Sequence, residues 1–484
     1  MCDYTEVCSQ LKMSEGRIDL TMSDTGRVSI HNSLYSRYSR NHVEGVSVEV
    51  CHIMTLLGYG EETRRRRVEK YRENDMLWNA QHLDSTFITA GSKAEGLTCW
   101  LESDHDLLFM PKGVLCVEAG IDLHTIPDEI EVYMMDTRAY PGHCRMLLER
   151  CDHTHLHFDN KVLCDDGNGN TLLSSGLLLD VLSKRKFNIG APLERAGPSL
   201  PRLIGQEINI DLVFAVHCQC PGILQRWAQR SRHWPPPDVV QKVVSLGSVV
   251  TPIGFRGSEF KYFEWRICFN MGETELVNNL TETQAKVYVL LKMIVKEVLK
   301  PKKKEITSFV LKSLIFWQAE RNATAMFKDR NLIQWLHDAL GTLRTVISST
   351  QLPYYMIPER NLMAACGLQE EQQRKWVADI ADMMEEGPRV ILRLPKIRRA
   401  IICHPEPLLW FSRKRLEMEM LRLEWMIRFE QSRRDANGEC DFSDIILTEI
   451  QRRMNEIALV VCLRMFMEGG IVTLQNDIFS SLLM

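Results

Sequence analysis

Residues 90–106 read A-G-S-K-A-E-G-L-T-C-W-L-E-S-D-H-D. Asp104 and Asp106 flank a single residue. In an extended chain, positions i and i+2 face the same way, so the two carboxylates share a face and His105 points to the other. Two like charges that close repel, and one of them is pushed toward its neutral form unless a counter-ion intervenes. A divalent, oxygen-loving cation such as Mg²⁺ or Mn²⁺ relieves that penalty and suits carboxylates together with phosphate oxygens. S-D-H-D alone is equally well a polar turn between strands. A third acid tips the balance. Asp211 stands inside the apolar run N-I-D-L-V-F-A-V, where a lone charge is costly unless it is paired or binds metal. Strand alternation sets it opposite in facing to Ile210 and Leu212. Contributed from adjacent strands, the three acids would make a two-metal site for in-line nucleotidyl transfer. Gly91-Ser92 then acquires a role, since glycine lets backbone approach a phosphate, and the serine hydroxyl with nearby N–H groups binds its oxygens.

Such a site needs strands to hold the acids and a second wall to hold a nucleotide. Residues 1–40 are polar and Ser-rich, which predicts a loosely ordered tail. Val43, Val46, Val50, Ile53, Met54 and Leu57 recur at helical spacing. Gly58 and Gly60 interrupt that pattern before T-R-R-R-R-V-E-K-Y-R resumes it. Short β-type runs, L-L-F-M, N-I-D-L-V-F-A-V and F-E-W-R-I-C-F, lie within 84–120 and 206–270. Between them fall the turn residues D-D-G-N-G-N and a helical run, L-L-S-S-G-L-L-L-D-V-L. From about residue 276 helix follows helix, the first opening on a capping box of Thr281 with Gln284 and stopping at Pro301. Segments 306–320, 331–347, 368–385 and 412–433 repeat the helical pattern. A mixed lobe followed by an all-helical one predicts a bilobed α+β architecture. The boundaries are a core over 41–275, a helical lobe over 276–395 and a helical extension over 396–484.

Composition narrows the function classes. The chain has 484 residues and a formal net charge of −4, so it is no bulk polyanion binder and any nucleic-acid contact needs a local basic face. Its 15 cysteines show no framework spacing. The N-terminus lacks a basic-then-apolar signal pattern, and the most apolar stretch, A-L-V-V-C-L-R-M-F-M, is broken by Arg464. These features predict a reduced, intracellular, soluble protein whose cysteines are mostly core residues. Cytoplasm is the expected compartment, with the nucleus left open.

With G-S, D-x-D and the third aspartate in this order, the chain resembles the nucleotidyltransferases of the Mab-twenty-one (male abnormal) family. Within it the resemblance is nearest to the cyclic GMP–AMP synthase-like receptors of animal innate immunity. It covers roughly residues 41–360 and is carried by F-E-W-R-I-C-F-N-M-G-E-T-E-L, N-L-T-E-T-Q-A-K-V-Y-V-L-L-K-M-I-V-K-E-V-L-K and I-T-S-F-V-L-K-S-L-I-F-W. It implies a cleft between two lobes that binds ATP and/or GTP, joins them into a cyclic dinucleotide and releases pyrophosphate. It implies a switch as well, thrown when duplex nucleic acid binds a surface on a long N-terminal helix.

Position by position, the resemblance makes Asp104, Asp106 and Asp211 the Mg²⁺- or Mn²⁺-binding triad. Ser92, after Gly91, grips the triphosphate. Arg266 contacts a nucleobase, Glu273 is an acid near the nucleotide, Lys292 reaches the donor phosphates with Ser308 beside them, and Phe309 stacks on a base. Plainer roles stay open: an ion pair for Arg266, a solvated helix charge for Lys292, a core position for Phe309. Departures bear on specificity. Phe309 stands where the synthase has a tyrosine, and Cys268 where it has a base-contacting serine. No Cys or His lies between Glu273 and Lys292, where the synthase inserts its zinc-bound DNA clamp. Members lacking that clamp tend to recognise double-stranded RNA, which is therefore the expected activator, ahead of DNA.

Arg64, Arg65, Arg66 and Arg67 are the candidate duplex contacts, with a solvated helix face as the alternative. K-P-K-K-K (300–304) and K-I-R-R (396–399) add positive charge whose role stays open. C-D-H-T-H-L-H (151–157) and H-C-Q-C (217–220) offer soft ligands, but not as the two separated pairs a structural zinc requires. The extension either caps the helical lobe or carries oligomerisation. Two rival readings remain: a non-catalytic scaffold of the same family, and an enzyme making linear oligoadenylate.

Overall fold

The computed structural model describes residues 34–151, 158, 160–167, 169–185, 191–193, 199–204, 208–302, 305–432 and 444–468. The tail expected over 1–40 falls outside them up to residue 33, as do the histidines of the 151–157 stretch.

Helix α1 (Arg40–Met54) is capped by Ser39, whose hydroxyl accepts from the His42 amide, and it buries Val43, Val50, Ile53 and Met54. It runs into a wider turn over Thr55–Tyr59, where Gly58 takes φ 83 before α2 (Glu61–Gln81) begins. An L side chain is strained at that φ. The long N-terminal helix is therefore two helices joined by a glycine bend, at the place where the apolar pattern breaks in the sequence.

The mixed lobe follows. Its elements are β1 (Ser85–Ala90), the single turn α3 (Gly91–Ala94), β2 (His105–Pro111), β3 (Val114–Val117), β4 (Glu131–Asp136), β5 (His143–Arg150), β6 (Leu163–Asp165), β7 (Thr171–Leu173), α4 (Ser175–Lys184), β8 (Ala191–Pro192), β9 (Ser199–Ile204), β10 (Ile208–Phe214), β11 (Val216–Gln219), α5 (Pro221–Ala228), α6 (Pro237–Leu246), β12 (Ser248–Thr251) and β13 (Glu264–Cys268). One sheet has the order β1-β2-β10-β9-β8. The other runs β13-β12-β11-β3-β4-β5-β7-β6, and β13 also pairs with β5, so part of it closes on itself. Of the cysteines on these strands, Cys116, Cys144, Cys218 and Cys268 are buried free thiols and Cys164 is half-buried.

After β13 the elements are helical: α7 (Asn270–Asn278), α8 (Glu282–Ile294), α9 (Ser308–Arg321), α10 (Leu332–Ser349), α11 (Glu370–Glu386), α12 (Pro395–Cys403), α13 (Leu408–Ser432) and α14 (Ile445–Met467). Helix α8 opens on the Thr281–Gln284 capping box, closed in both directions. One apolar core runs through both lobes. No helix among the described residues is long and apolar enough to cross a membrane.

The extension turns back onto the start of the chain. Helix α13 lies along α2, and α14 packs on α13 through Met418, Ile450, Met454, Ile457 and Val461. It thereby covers one side of α2, a contact that neither of its two expected roles includes.

Helix α2 is also stitched to the first sheet. Asp75 accepts from the Thr89 amide (2.8 Å) and hydroxyl (2.6 Å), and burial pushes its carboxyl up to about 6. That lies above the ~3.9 of an unfolded Asp. From about pH 4 to about pH 6 the native state therefore holds more protons than the unfolded one, and stability falls as pH rises through that window. Asp75→Asn is expected to flatten this fall. Urea midpoints taken across the window measure it, and equal slopes in both proteins would refute it.

Candidate active site

Strand β2 runs parallel to β10 with Asp106 directly opposite Asp211. Ile210 and Leu212 are buried in the core, so strand alternation turns Asp211 to the other face, as the sequence predicts. The two carboxylates sit side by side on neighbouring strands. Asp104 precedes β2 and is exposed, while His105 points inward against Tyr71 and beside the Thr89 hydroxyl. Burial, then Asp211 and Asp104, push the Asp106 carboxyl up to about 7. That crowding of negative charge is what a divalent cation neutralises.

Gly91 closes one side of the pair. It adopts φ 62, and a Cβ there would lie 2.2 Å from the Asp106 carboxylate. Only glycine permits this approach. Ser92 follows, and the Lys292 ammonium, arriving from α8, donates to its hydroxyl at 2.6 Å. Burial lowers the Lys292 pKa, and Lys312 lowers it further, against Glu95, Glu102 and Asp106. Two positions that the resemblance pairs with phosphate are thus in direct contact. Ser308 opens α9, exposed, and shares a cavity wall with Ser92 and Lys292. Phe309 beside it is half-buried, with the Lys312 ammonium 5.2 Å from its ring centre.

The donor set suits a hard cation: oxygen ligands, a like-charge pair under strain, and a glycine-cleared approach. Asp106 and Asp211 would hold it, with Asp104 at the mouth. Among the described residues no three such groups already stand as a closed ligand set, so substrate oxygens would have to complete the coordination.

Three expected positions are corrected. Glu273 is not open to a nucleotide: it is buried, ion-paired to Lys312 at 3.0 Å, and accepts from the Tyr354 hydroxyl at 2.6 Å. Arg64 is buried too, its guanidinium donating to the carbonyls of Asn278 and Leu280. Arg67 is 1% exposed and forms a two-point pair with Glu419 of α13. Neither arginine can reach a duplex phosphate from there. Arg65 and Arg66 do face solvent, where they pair along the helix with Glu69 and Glu62.

Arg266 belongs to a second group. Burial, together with Arg360 and Arg256 beside it, lowers its pKa to about 10, and its Nε has no acceptor among the described residues. His143, opposite it on β5, is lowered to about 3 by burial, Arg360 and Arg266. Tyr354, Glu273, Lys312 and Glu95 link this group back to the Gly91–Gly96 turn, with Lys312 to Glu95 at 2.6 Å. Burial works against the Lys312 charge, and the two glutamates more than offset it.

Sequence reasoning missed Lys312 and Lys93. Lys93 is buried and donates to the carbonyls of Cys99 and Trp100, holding the segment that leads to Asp104. Its position directly after Gly-Ser was the available signal. Lys312 had one also, four residues past Ser308 and so on the same helix face.

Comparison with protein families matches this arrangement. The Mab-21 protein nucleotidyltransferase domain matches residues 184–279, and the Mab-21 protein HhH/H2TH-like domain matches residues 283–382. Over residues 184–382 the chain carries the Mab-21 domain pair. Asp211, Arg266 and Glu273 fall within the first Mab-21 match, and Lys292, Ser308 and Phe309 within the second. Gly91, Ser92, Asp104 and Asp106 lie outside both. Against curated proteins the chain has no match. The Mab-21 domain pair agrees with the fold: a mixed lobe carrying the acids, then a helical lobe carrying Lys292 and Ser308.

Proposed function

We propose that this protein is a metal-dependent nucleotidyltransferase that joins ATP and/or GTP into a cyclic dinucleotide and releases pyrophosphate. The observation that carries this reading is Asp106 in register with Asp211, beside a Gly91-Ser92 turn that Lys292 touches from the facing lobe. A bound Mg²⁺ or Mn²⁺ supplies neutralisation of phosphate charge and acidifies an attacking sugar hydroxyl. The protein supplies position. The Ser92 hydroxyl and Lys292 ammonium hold non-bridging phosphate oxygens, Ser308 adds a hydroxyl across the cleft, and Phe309 offers a ring face to a base. Arg266, with an unused donor, fits a base edge.

Double-stranded RNA is the proposed activator, acting in the cytoplasm. Its contacts on α2 fall to the exposed Arg65 and Arg66, and the absence of Cys and His between Glu273 and Lys292 supports RNA over DNA. A second reading, a non-catalytic binding protein of the family, is favoured by one observation: the acids do not close into a ready metal site among the described residues.

Incubating purified protein with radiolabelled ATP and GTP, Mg²⁺ or Mn²⁺, and duplex RNA or DNA separates these readings. A phosphatase-resistant product that appears only with one duplex supports a gated cyclase and names its trigger. Linear, phosphatase-sensitive oligomers point to an oligoadenylate-type enzyme. Nucleotide binding without any product points to the binding protein.

A further inference from the structure

A second cavity, about 280 Å³, lies between α2, the first sheet, α6 and α7. Its size suits an organic molecule smaller than a drug. It sits behind the turn that presents Ser92. Ala90 and Ala94 form part of its wall, while Gly91, Ser92, Asp104, Asp106 and Asp211 do not line it. Much of the wall is apolar, from Val68 on α2, Ile88 on β1, Leu108 on β2, Leu246 on α6 and Met271 on α7.

Four charged side chains reach this cavity, and three of them satisfy one another. Glu275 takes the Lys242 ammonium at 2.9 Å and the Arg72 guanidinium at 3.7 Å. It also accepts from the Asn279 side-chain amide at 3.1 Å. Asp75 is different. Its hydrogen bonds come from Thr89, and among the described residues no cation pairs with it. Burial pushes its carboxyl up to about 6, so at neutral pH it is an ionised acid, partly stripped of water and without a counter-charge. A second acceptor is idle as well. Asn270, at the start of α7, has a buried side-chain oxygen that meets no donor among the described residues.

An apolar wall with one uncompensated carboxylate and one idle carbonyl oxygen calls for a ligand of matching parts: a hydrocarbon body and a cationic head rich in N–H donors. An ammonium group supplies three donors and no acceptor. Its bond to an ionised carboxylate is of the stronger, charge-assisted kind. We propose that this cavity binds a small organic ammonium ion, with its head on Asp75 and its body against Val68, Ile88 and Leu108. Binding here does not depend on the nucleotidyltransferase reading, since none of that site's acids lines the cavity. The occupant would nonetheless adjoin the strand that carries Asp106. The Thr89 hydroxyl that donates to Asp75 also meets His105 at 3.1 Å, and His105 lies between Asp104 and Asp106.

Fluorine NMR titration with para-fluorobenzylammonium tests this, beside para-fluorobenzyl alcohol and para-fluorobenzoate, which keep the body and change the head. Wild-type protein is expected to bind the ammonium about tenfold more tightly than the alcohol, and the benzoate most weakly. Asp75→Asn keeps an acceptor for the Thr89 amide and removes the charge. It is expected to bring the ammonium down to the affinity of the alcohol and to leave the alcohol unchanged. Thr274→Phe, which fills the cavity from α7, is expected to weaken both. Asp128→Asn, at an exposed acid outside the cavity, is expected to bind as wild type does. Matched thermal unfolding curves check that each variant folds, and the three wild-type affinities test the site without any variant. Equal ammonium and alcohol affinities in wild type, benzoate binding tightest, or no binding at all each overturns the proposal. So does an Asp75→Asn protein that keeps the preference for ammonium, undiminished binding in Thr274→Phe, or an equal loss in Asp128→Asn. Absence of nucleotide turnover with ammonium binding intact defeats the enzyme reading and leaves the site standing.

Discussion

Asp211→Asn is expected to lower nucleotide turnover by ~10³-fold or more, since metal-assisted charge stabilisation contributes several kcal/mol and each 1.36 kcal/mol is tenfold in rate. Asparagine keeps the shape and removes the charge. The same change is expected to leave the fold intact and to raise its stability slightly, because Asp211 is one of the charges that push Asp106 toward its neutral form. Opposite signs for activity and stability are the signature of an acid held for function. Product formation with the activating duplex present, measured beside urea unfolding, reads both. Full turnover in the variant would end the two-metal reading. A large loss of stability would make Asp211 a structural residue.

The largest stability effect is expected at Glu419. Its pair with Arg67 has side-chain exposures of 1% and 2%, with both contacts at 2.8 Å. Burial opposes the Arg67 charge, and Glu419 more than offsets it. Glu419→Ala leaves a guanidinium buried without a counter-charge, at a cost of about 3–5 kcal/mol. Arg67 also donates to the carbonyl of Gly58, at the bend between α1 and α2, and to that of Gly96, at the end of the Gly91–Gly96 turn (2.7 and 3.1 Å). The extension is therefore tied through one side chain to the loop that holds Ser92. Denaturation midpoints measure the effect. A change below ~1 kcal/mol, the range of a solvated surface pair, would show that this contact does not anchor the extension.

Much of the fold was legible in short stretches, because local rules act there. Alternation across N-I-D-L-V-F-A-V buried Ile210 and Leu212 and turned Asp211 away, as strand geometry requires. Thr281 and Gln284 closed the capping box that their spacing announces. The expected helices of the second lobe appear at 308–321, 332–349 and 370–386, within a few residues of their predicted bounds. Gly58 and Gly60 marked the bend. The residue types of the site could be named, since an acid in an apolar strand and a serine after a glycine are local features.

What met what was decided by tertiary structure. Asp106 and Asp211 belong to strands far apart in the chain, and only their parallel register sets the two carboxylates side by side. Ser92 and Lys292 touch across the two lobes. R-R-R-R shows why charge alone misleads. Consecutive residues turn by about 100° on a helix, so four in a row point to nearly every side of it. Whichever way α2 packs, some arginines go inside and others out. Arg64 and Arg67 went inside because α13 and the carbonyls of Gly58, Gly96, Asn278 and Leu280 were there to receive them. Glu273 was drawn into the core by Lys312 and Tyr354 for the same reason: a buried charge stays where partners are assembled around it. By itself the sequence determined which side chains could do chemistry and which local element each occupies. Their neighbours follow from packing between distant segments, which no local rule specifies.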